Sequence, residues 1–236
     1  MKQTVSPYMC QGEYVSRNDL ILALLWMFFA EVRAEQHPVS TAAELPLHGI
    51  AAYLISESLK AGIKVVPNNY CGNASLGLRL SAARDDLEGK TYCEALAFLA
   101  LKIRKALNNL RTDPAAQAGV IMRYYHVSNL AEFGLDPSVN RFALSNFSKT
   151  AVTEVDFGKG VPVLAHLTIT LPSYGGSPFA GPGPRNRESQ LVYFQFTEDE
   201  RKFLKHSVVI QTCAPGLKCL YSDFTLDEMK ELLGMI

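Results

Sequence analysis

The stretch "VTEVDFGKGVPVLAH", residues 152–166, joins a turn pattern to a strand pattern. Its centre, DFGKG at residues 156–160, places a glycine on each side of a lysine, and glycine allows a turn that larger side chains would block. The residues that follow, "PVLAHLTITL" at 162–171, alternate between two faces and predict a β-strand. The stretch therefore predicts a turn that leads into a sheet, and its aspartate has either a chemical or a structural role.

The Asp-Phe-Gly triplet at residues 156–158 also occurs in protein kinases, where the aspartate binds a metal ion. A kinase needs a Gly-rich phosphate loop, a lysine on a strand, and HRD and APE segments around that triplet. The sequence contains none of these parts. The triplet is short enough to occur by chance, and it does not indicate a kinase here.

Immediately after the predicted strand comes "PSYGGSPFAGPGPRNRES", residues 172–189, which is rich in Gly and Pro. A loop that binds phosphate exposes consecutive backbone N–H groups and leads into a helix. Here Pro178, Pro182 and Pro184 remove N–H donors, and a strand pattern follows. This segment therefore predicts an irregular surface connection rather than a phosphate loop.

Helix and strand patterns recur along the rest of the chain. A Ser or Thr three positions before an acidic residue is typical of a helix start, and Asp-Pro is a second start signal. Such starts are Ser16-x-x-Asp19, Thr91-x-x-Glu94, Asp113-Pro114, Thr197-x-x-Glu200 and Thr225-x-x-Glu228, while further strand patterns cover 75–80, 190–196 and 207–211. Because helices and strands mix without a regular βαβ rhythm, the sequence predicts an α/β sandwich on a largely mixed sheet.

Two of these helices have strong apolar patterns. The run "LILALLWMFFA" at 20–30 is eleven residues long between two acidic residues, which is too short to span a bilayer, so it predicts a buried helix. The helix that starts at Thr91 places apolar residues at helical spacing. These are Leu96, Leu99, Ile103, Leu107 and Leu110.

Charge, cysteine and histidine content exclude several classes of function. Lys plus Arg equals Asp plus Glu at 23 each, so neither nucleic acid nor a membrane is an expected partner, and without an apolar signal segment the expected location is cytoplasmic. The five cysteines and five histidines are scattered and predict reduced, buried thiols and no metal site, although a Cys–His nucleophile pair formed in space stays open. They are Cys10, Cys71, Cys93, Cys213, Cys219, His37, His48, His126, His166 and His206.

Three segments, in the same order and spacing, resemble the C-terminal half of the BAHD acyltransferases, which move acyl groups from coenzyme A to alcohols or amines in plants and fungi. "VSRNDLILALLW" at 15–26 resembles the family's S-x-N-D-x-L-x-A-L-L-W helix. "VPNNYCGNA" at 66–74 resembles P-x-x-Y-F-G-N-A, with Cys71 in place of Phe. "LSNFSKTAVTEVDFGKG" at 144–160 resembles a T-S/N-W stretch followed by D-F-G-W-G, with Lys159 in place of Trp.

The resemblance implies a fold and a domain organisation. The implied fold is an α/β, chloramphenicol-acetyltransferase-like sandwich with a mixed sheet and helices packed on one face. In the family two such domains meet at a solvent channel that holds the active site. Residues 1–45 would be the end of the first domain and the crossover, and residues 46–236 would be the C-terminal acyltransferase-like domain.

The resemblance also implies roles for particular residues. Ser145 and Asn146 match the stretch that lies near the channel and coenzyme A, although Asn146 could equally cap a strand end or a turn. The signature aspartate normally pairs with an arginine before the second segment, and Lys60 is the nearest substitute here. The remaining signature residues have structural roles. They are Tyr70, Gly72, Asn73, Asp156, Phe157, Gly158 and Gly160.

The family's catalytic base is the histidine of an H-x-x-x-D motif in its N-terminal domain. None of the five histidines here is followed by an aspartate four positions later, so no catalytic residue is assigned. The sequence thus predicts an acyl-CoA-dependent acyltransferase of secondary metabolism represented by its C-terminal half and inactive alone, with a small-molecule acceptor, acyl-CoA as co-substrate and no permanently bound cofactor. The alternative is an inactive remnant or an interaction subunit. An exposed domain interface would favour self-association or binding of an N-terminal half.

Overall fold

Helices and strands share the part of the chain that the computed structural model describes. The described residues are 1–36, 48–54, 75–83, 85–113, 115, 118–119, 141–146, 154–156, 158–160, 179–182, 190–193 and 198–217. The elements are α1 (Lys2–Val5), a 3-10 turn (Ser6–Tyr8), α2 (Arg17–Gln36), β1 (His48–Leu54), β2 (Ser75–Leu80), α3 (Tyr92–Thr112), β3 (Arg141–Asn146), β4 (Phe179–Pro182), β5 (Gln190–Tyr193), α4 (Glu198–His206) and α5 (Val208–Cys213).

The five described strands form one mixed sheet in the order β2-β1-β3-β4-β5. Parallel pairs join β1 to β3 and β3 to β4. Antiparallel pairs join β2 to β1 and β5 to β4. Strand β3 is therefore central, and its backbone is paired on both sides.

Helix α2 is buried on all sides between Leu20 and Phe29. Its capping box is formed, because the Ser16 N–H donates to Asp19 Oδ2 at 2.6 Å and the Asp19 N–H donates to Ser16 Oγ at 3.2 Å. Every side chain from Leu20 to Phe29 is buried. A helix that is apolar all round must be covered all round, and α2 contacts α3, α5, β1 and β3. The prediction of a buried helix is confirmed.

Helix α3 buries one face only. Its start at Thr91 is a formed capping box, in which Thr91 Oγ1 accepts from the Glu94 N–H at 3.3 Å and Glu94 Oε2 accepts from the Thr91 N–H at 2.7 Å. The predicted apolar stripe is buried, and α3 uses it to contact α2, α5 and β2. Among the described helices, none combines the length and the hydropathy needed to cross a bilayer.

Two predictions from local pattern were wrong. Residues 207–211 are not a strand, because Ser207 caps a helix by accepting the Ile210 N–H at 3.2 Å, and that helix buries Val209, Ile210 and Cys213 on one side. Residues 179–182, inside the predicted irregular connection, form strand β4, because its backbone pairs with β3 and with β5. At 207–211 a local cap and the burial of one helix face outweigh strand propensity, and at 179–182 pairing with two other strands outweighs the Gly- and Pro-rich composition.

The other predicted elements are confirmed, confirmed in part, or lie outside the described residues. Strand 75–80 is confirmed, the 190–196 strand is confirmed for residues 190–193, and a helix near Thr197 is confirmed from Glu198. Asp113 Oδ1 accepts the Ala115 N–H at 2.8 Å, which is how an N-cap residue satisfies a helix start. The predicted strand at 162–171 and the predicted helix start at Thr225 lie outside the described residues.

Candidate functional site

The two residues expected near coenzyme A end the central strand β3. Ser145 is in register with Phe179, and Asn146 is in register with Ala180 of the parallel strand β4. Because β1, β3 and β4 run in the same direction, their carboxyl ends point to one edge of the sheet. Asn146 is thus placed at the edge where all three parallel strands end.

The turn at the centre of the opening stretch is held by a single carboxylate oxygen. Asp156 Oδ1 accepts three backbone N–H groups, from Gly158 at 2.7 Å, Lys159 at 3.1 Å and Gly160 at 3.0 Å. Gly158 and Gly160 have φ of 86° and 92°, a region that side chains rarely adopt. Aspartate and glycines together fix this backbone, and the turn is exposed to solvent.

Several expected site residues have no described position. Tyr70, Gly72, Asn73 and Phe157 lie outside the described residues, as does Lys60, the proposed partner of the signature aspartate. Any pairing of that lysine therefore stays a prediction.

The thiols differ in their surroundings. Cys213 is buried, Cys93 is partly buried and Cys10 is exposed, so the prediction of buried thiols is wrong for Cys10. Cys10 is exposed because it lies in the short segment between the 3-10 turn and α2. Cys71 and Cys219 lie outside the described residues.

Few of the histidines have described surroundings. His48 begins strand β1 and His206 is exposed at the end of α4, while the other three histidines lie outside the described residues. In the described part of the chain, no group of His, Cys, Asp and Glu is arranged to hold a metal ion.

A buried ion pair that the sequence patterns did not predict joins α2 to α3. Arg104 Nε and Nη2 both donate to Asp19 Oδ2, at 2.8 and 2.5 Å. The Asp19 side chain has no exposed area, and the Arg104 side chain is 17% exposed. The Arg104 guanidinium also lies over the ring of Tyr14, 5.8 Å from its centroid. The pair therefore locks the N-terminal segment and two helices together.

The second carboxylate oxygen of Asp19 has no hydrogen-bond partner in the described part of the chain, and neither does the indole N–H of Trp26. Both groups are buried on α2. The capping-box pattern in the sequence indicated only that Asp19 starts a helix. It gave no sign of the ion pair, because Arg104 lies 85 positions away. The signal available in the sequence was a basic residue, Arg104, among apolar residues on the stripe-bearing helix.

A second polar contact joins α2 to α5. Ser207 Oγ donates to Glu31 Oε2 at 2.5 Å, and the Val208 N–H donates to Glu31 Oε1 at 3.2 Å. Ser207 is fully buried. Glu31 therefore binds the first backbone N–H of α5 and the side chain that caps it, an arrangement that favours a negative charge at a helix N-terminus.

Three partly buried carboxylates have lowered pKa values for structural reasons. Backbone N–H donors are the largest cause in each case, from Cys10 for the pKa of Glu13, from Ala83 for the pKa of Asp86 and from Thr91 for the pKa of Glu94. Each of these bonds closes a local turn or cap, so these shifts do not point to catalysis.

One surface cavity of about 330 Å³ lies in the N-terminal segment. Its walls include Lys2, Met9, Glu13 and Tyr14. The Lys2 ammonium lies over the Tyr14 ring, 5.3 Å from its centroid. The lining residues in the described part of the chain all lie between Lys2 and Val15.

No protein-family model matches the sequence, and neither does any curated protein. Solved structures do match. F. sporotrichioides TRI101, crystallised with coenzyme A and T-2, matches with a TM-score of 0.66 at 18% identity, over 88% of this chain and 46% of that chain. F. graminearum TRI101, crystallised with coenzyme A and deoxynivalenol, matches with a TM-score of 0.58 at 18% identity, over 88% of this chain and 44% of that chain.

Vinorine synthase matches with a TM-score of 0.58 at 16% identity, over 85% of this chain and 43% of that chain. TRI101, a trichothecene acetyltransferase, and vinorine synthase are both BAHD acyltransferases. At such identity a structural likeness shows a shared fold, and it agrees with the resemblance seen in the sequence segments. The chain therefore has the chloramphenicol-acetyltransferase-like fold of the BAHD acyltransferases, and it spans less than half the length of each of these three proteins.

Proposed function

We propose that this chain is the C-terminal half of a BAHD-type acyltransferase, which transfers an acyl group from coenzyme A to an alcohol or amine. The observation that carries the proposal is the fold match over 88% of the chain to an enzyme crystallised with coenzyme A. The ordered sequence segments at 15–26, 66–74 and 144–160 agree with it.

In this proposal the reaction is a direct transfer. A histidine base takes the proton from the acceptor hydroxyl or amine, whose oxygen or nitrogen attacks the thioester carbonyl, and the coenzyme A thiol leaves. None of the histidines in this sequence has the required Asp four positions later, so the base would come from an N-terminal half. The chain described here would supply part of the coenzyme A and acceptor site.

We assign the coenzyme A contact to Ser145 and Asn146. Both end the central strand β3, and Asn146 lies at the edge where the parallel strands end. The Asp156 turn has the structural role, since its acceptor oxygen is already occupied by three N–H donors from its own loop. We propose the same structural role for the other signature residues, Tyr70, Gly72, Asn73, Phe157, Gly158 and Gly160.

Binding can be measured without catalysis. Coenzyme A titrated into the purified chain, followed by calorimetry, should show saturable binding that weakens in S145A and N146A. Asn108→Ala is the matched control, because Asn108 is an exposed asparagine on α3. Equal affinity in N146A and in the control would remove Asn146 from the site, and an absence of binding by every form would contradict the coenzyme A assignment for this chain.

Activity measurements distinguish the proposed acyltransferase half from its alternative. The alternative is an inactive remnant or interaction subunit, and it is favoured by the missing H-x-x-x-D motif in these 236 residues. Acetyl-CoA and a panel of alcohols and amines should give no product with the chain alone and should give product when a polypeptide with that motif is co-expressed. Turnover by the chain alone would overturn the assignment of the base, and failure of the combined polypeptides would favour the interaction subunit.

The domain organisation is also proposed. Residues 1–45 would end the first domain and cross over, and residues 46–236 would form the second. Helices α2 and α3 touch each other and contact the neighbouring strands β1, β2 and β3, which supports helices packed on one face of the sheet. An uncovered domain interface would drive self-association or binding of an N-terminal half, and light scattering behind size exclusion measures it. A monomer at all concentrations would contradict self-association.

A further inference from the structure

The surface cavity in the N-terminal segment is formed by backbone that the fold holds in place. Its described walls all come from residues 2–15, which comprise α1, the 3-10 turn and the chain that leads to α2. The Met9 N–H donates to the Ser6 carbonyl at 3.3 Å, and the Glu13 N–H donates to the Cys10 carbonyl at 3.1 Å. Both α1 and the 3-10 turn contact α3. The walls therefore belong to the folded structure, and the cavity is largely pre-formed.

Three of the wall residues are apolar and shielded from solvent. Val5 and Val15 are buried, and Met9 is partly buried and packs on the core. Such walls favour an apolar group on the ligand, and a flexible methionine side chain adapts to its shape. The volume of about 330 Å³ lies at the lower end of the range for ligand pockets. The cavity therefore suits a small molecule with an apolar body.

The uncompensated charge on the walls is positive. The Lys2 ammonium lies over the Tyr14 ring, 5.3 Å from its centroid, and no carboxylate in the described part of the chain pairs with it. Glu13, the other charged wall residue, already has partners. Its Oε2 accepts the Cys10 N–H at 2.8 Å, and its Oε1 lies 3.4 Å from Lys105 Nζ. The charge left for a ligand is thus the one on Lys2, which favours an anion.

We propose that this cavity binds a small organic acid, with its carboxylate on the Lys2 ammonium and its apolar body against the apolar walls. The exposed Ser6 hydroxyl and Gln11 amide lie on the same walls and supply further donors for the carboxylate. An inorganic anion would leave the apolar walls without a contact, and an uncharged apolar molecule would leave Lys2 without one. This site is separate from the proposed coenzyme A contact, and the proposal does not depend on acyl transfer.

The test is an NMR titration of the isotope-labelled full chain with hydrocinnamate, which joins a phenyl ring to a carboxylate by a short chain. Hydrocinnamyl alcohol is the matched uncharged probe. We expect saturable amide shifts within residues 2–15 for the acid and weaker binding for the alcohol. Absence of saturable shifts in this segment would overturn the proposal, and equal affinity for the two probes would overturn the role assigned to charge.

Two variants separate the charged contact from the apolar one. K2M should weaken the acid roughly fivefold, the upper range for an exposed ion pair, and leave the alcohol unchanged. Lys205→Met, at an exposed lysine on α4, is the matched control and should bind as wild type. M9A should weaken both probes by the same factor, with circular dichroism to confirm its fold. Equal affinity for the acid in K2M and K205M would overturn the proposal, and so would unchanged affinities in folded M9A.

Discussion

Asp19 and Arg104, 85 positions apart in the sequence, form a buried ion pair in which two guanidinium nitrogens donate to one carboxylate oxygen. The contact joins α2 to α3 at the point where α2 begins. A buried ion pair adds little net stability over a well-packed apolar pair, but removal of one partner leaves an uncompensated charge in the core.

Arg104→Met should therefore destabilise the protein by about 3–5 kcal/mol, because Asp19 would keep its buried charge without a cation. Lys105→Met is the matched control, since the Lys105–Glu13 pair has side chains that are 70% and 24% exposed and should contribute roughly 0–1 kcal/mol. Urea unfolding measures both. The double variant D19N/R104M should lose less than the sum of the single changes, and equal effects in R104M and K105M would contradict a buried pair.

Ser207→Ala should lower the free energy of unfolding by about 1–3 kcal/mol, since one hydroxyl both caps α5 and donates to Glu31. Thr212→Ala, an exposed position on the same helix, controls for helix propensity. Thermal and urea unfolding compare the two variants. If S207A were as stable as T212A, the contact between α2 and α5 would have no energetic role.

Asp156→Ala should speed amide hydrogen exchange at residues 158–160, because all three N–H groups donate to the oxygen that is removed. Asp156→Asn retains a carbonyl oxygen and should have a smaller effect. Glu154→Ala is the control, an exposed carboxylate in the same turn region. The global stability should change little because the turn is exposed, and unchanged exchange in D156A would show that the turn forms without its anchor.

Glu94 should make stability depend on pH in a predictable direction. Its folded pKa lies below the ordinary value of 4.5, first because of the Thr91 backbone N–H and second because of the Thr91 hydroxyl. The unfolded state thus binds the proton more tightly, so the stabilisation is complete above 4.5 and is lost as pH falls through the folded pKa.

Glu94→Gln is the matched variant, because glutamine also fits a capping box but does not titrate. The stability difference between wild type and E94Q, measured by urea unfolding over a pH series, should shrink as the solution becomes more acidic. A difference that stays constant across the acidic range would contradict the assigned role of the carboxylate.

Local patterns predicted the elements whose stability is local. The capping boxes at Ser16 and Thr91 each depend on residues three positions apart, and both helices begin where the sequence predicted. The all-apolar run at 20–30 also predicted burial, because no orientation of such a helix exposes a polar face.

Elements that depend on distant partners were missed. The β-branched run at 207–211 favours a strand by propensity, but the Ser207 cap and the contact with Glu31 stabilise a helix there. Strand β4 lies in a Gly- and Pro-rich segment and forms because β3 and β5 pair with its backbone on either side. The Asp19–Arg104 pair is a contact of the same kind. At the candidate site, the sequence motif alone named Ser145 and Asn146, and their shared edge with β4 became visible only from the register.

The burial of α2 determines whether the protein can be produced as two separate polypeptides. A boundary at residue 45 follows the order of the sequence, yet α2, which precedes it, is covered by α3 and α5, which follow it. Produced as two polypeptides split between α2 and β1, the pieces would each expose a large part of one shared core. We therefore expect neither piece to fold without the other, because α2, α3 and α5 share one core across the proposed boundary.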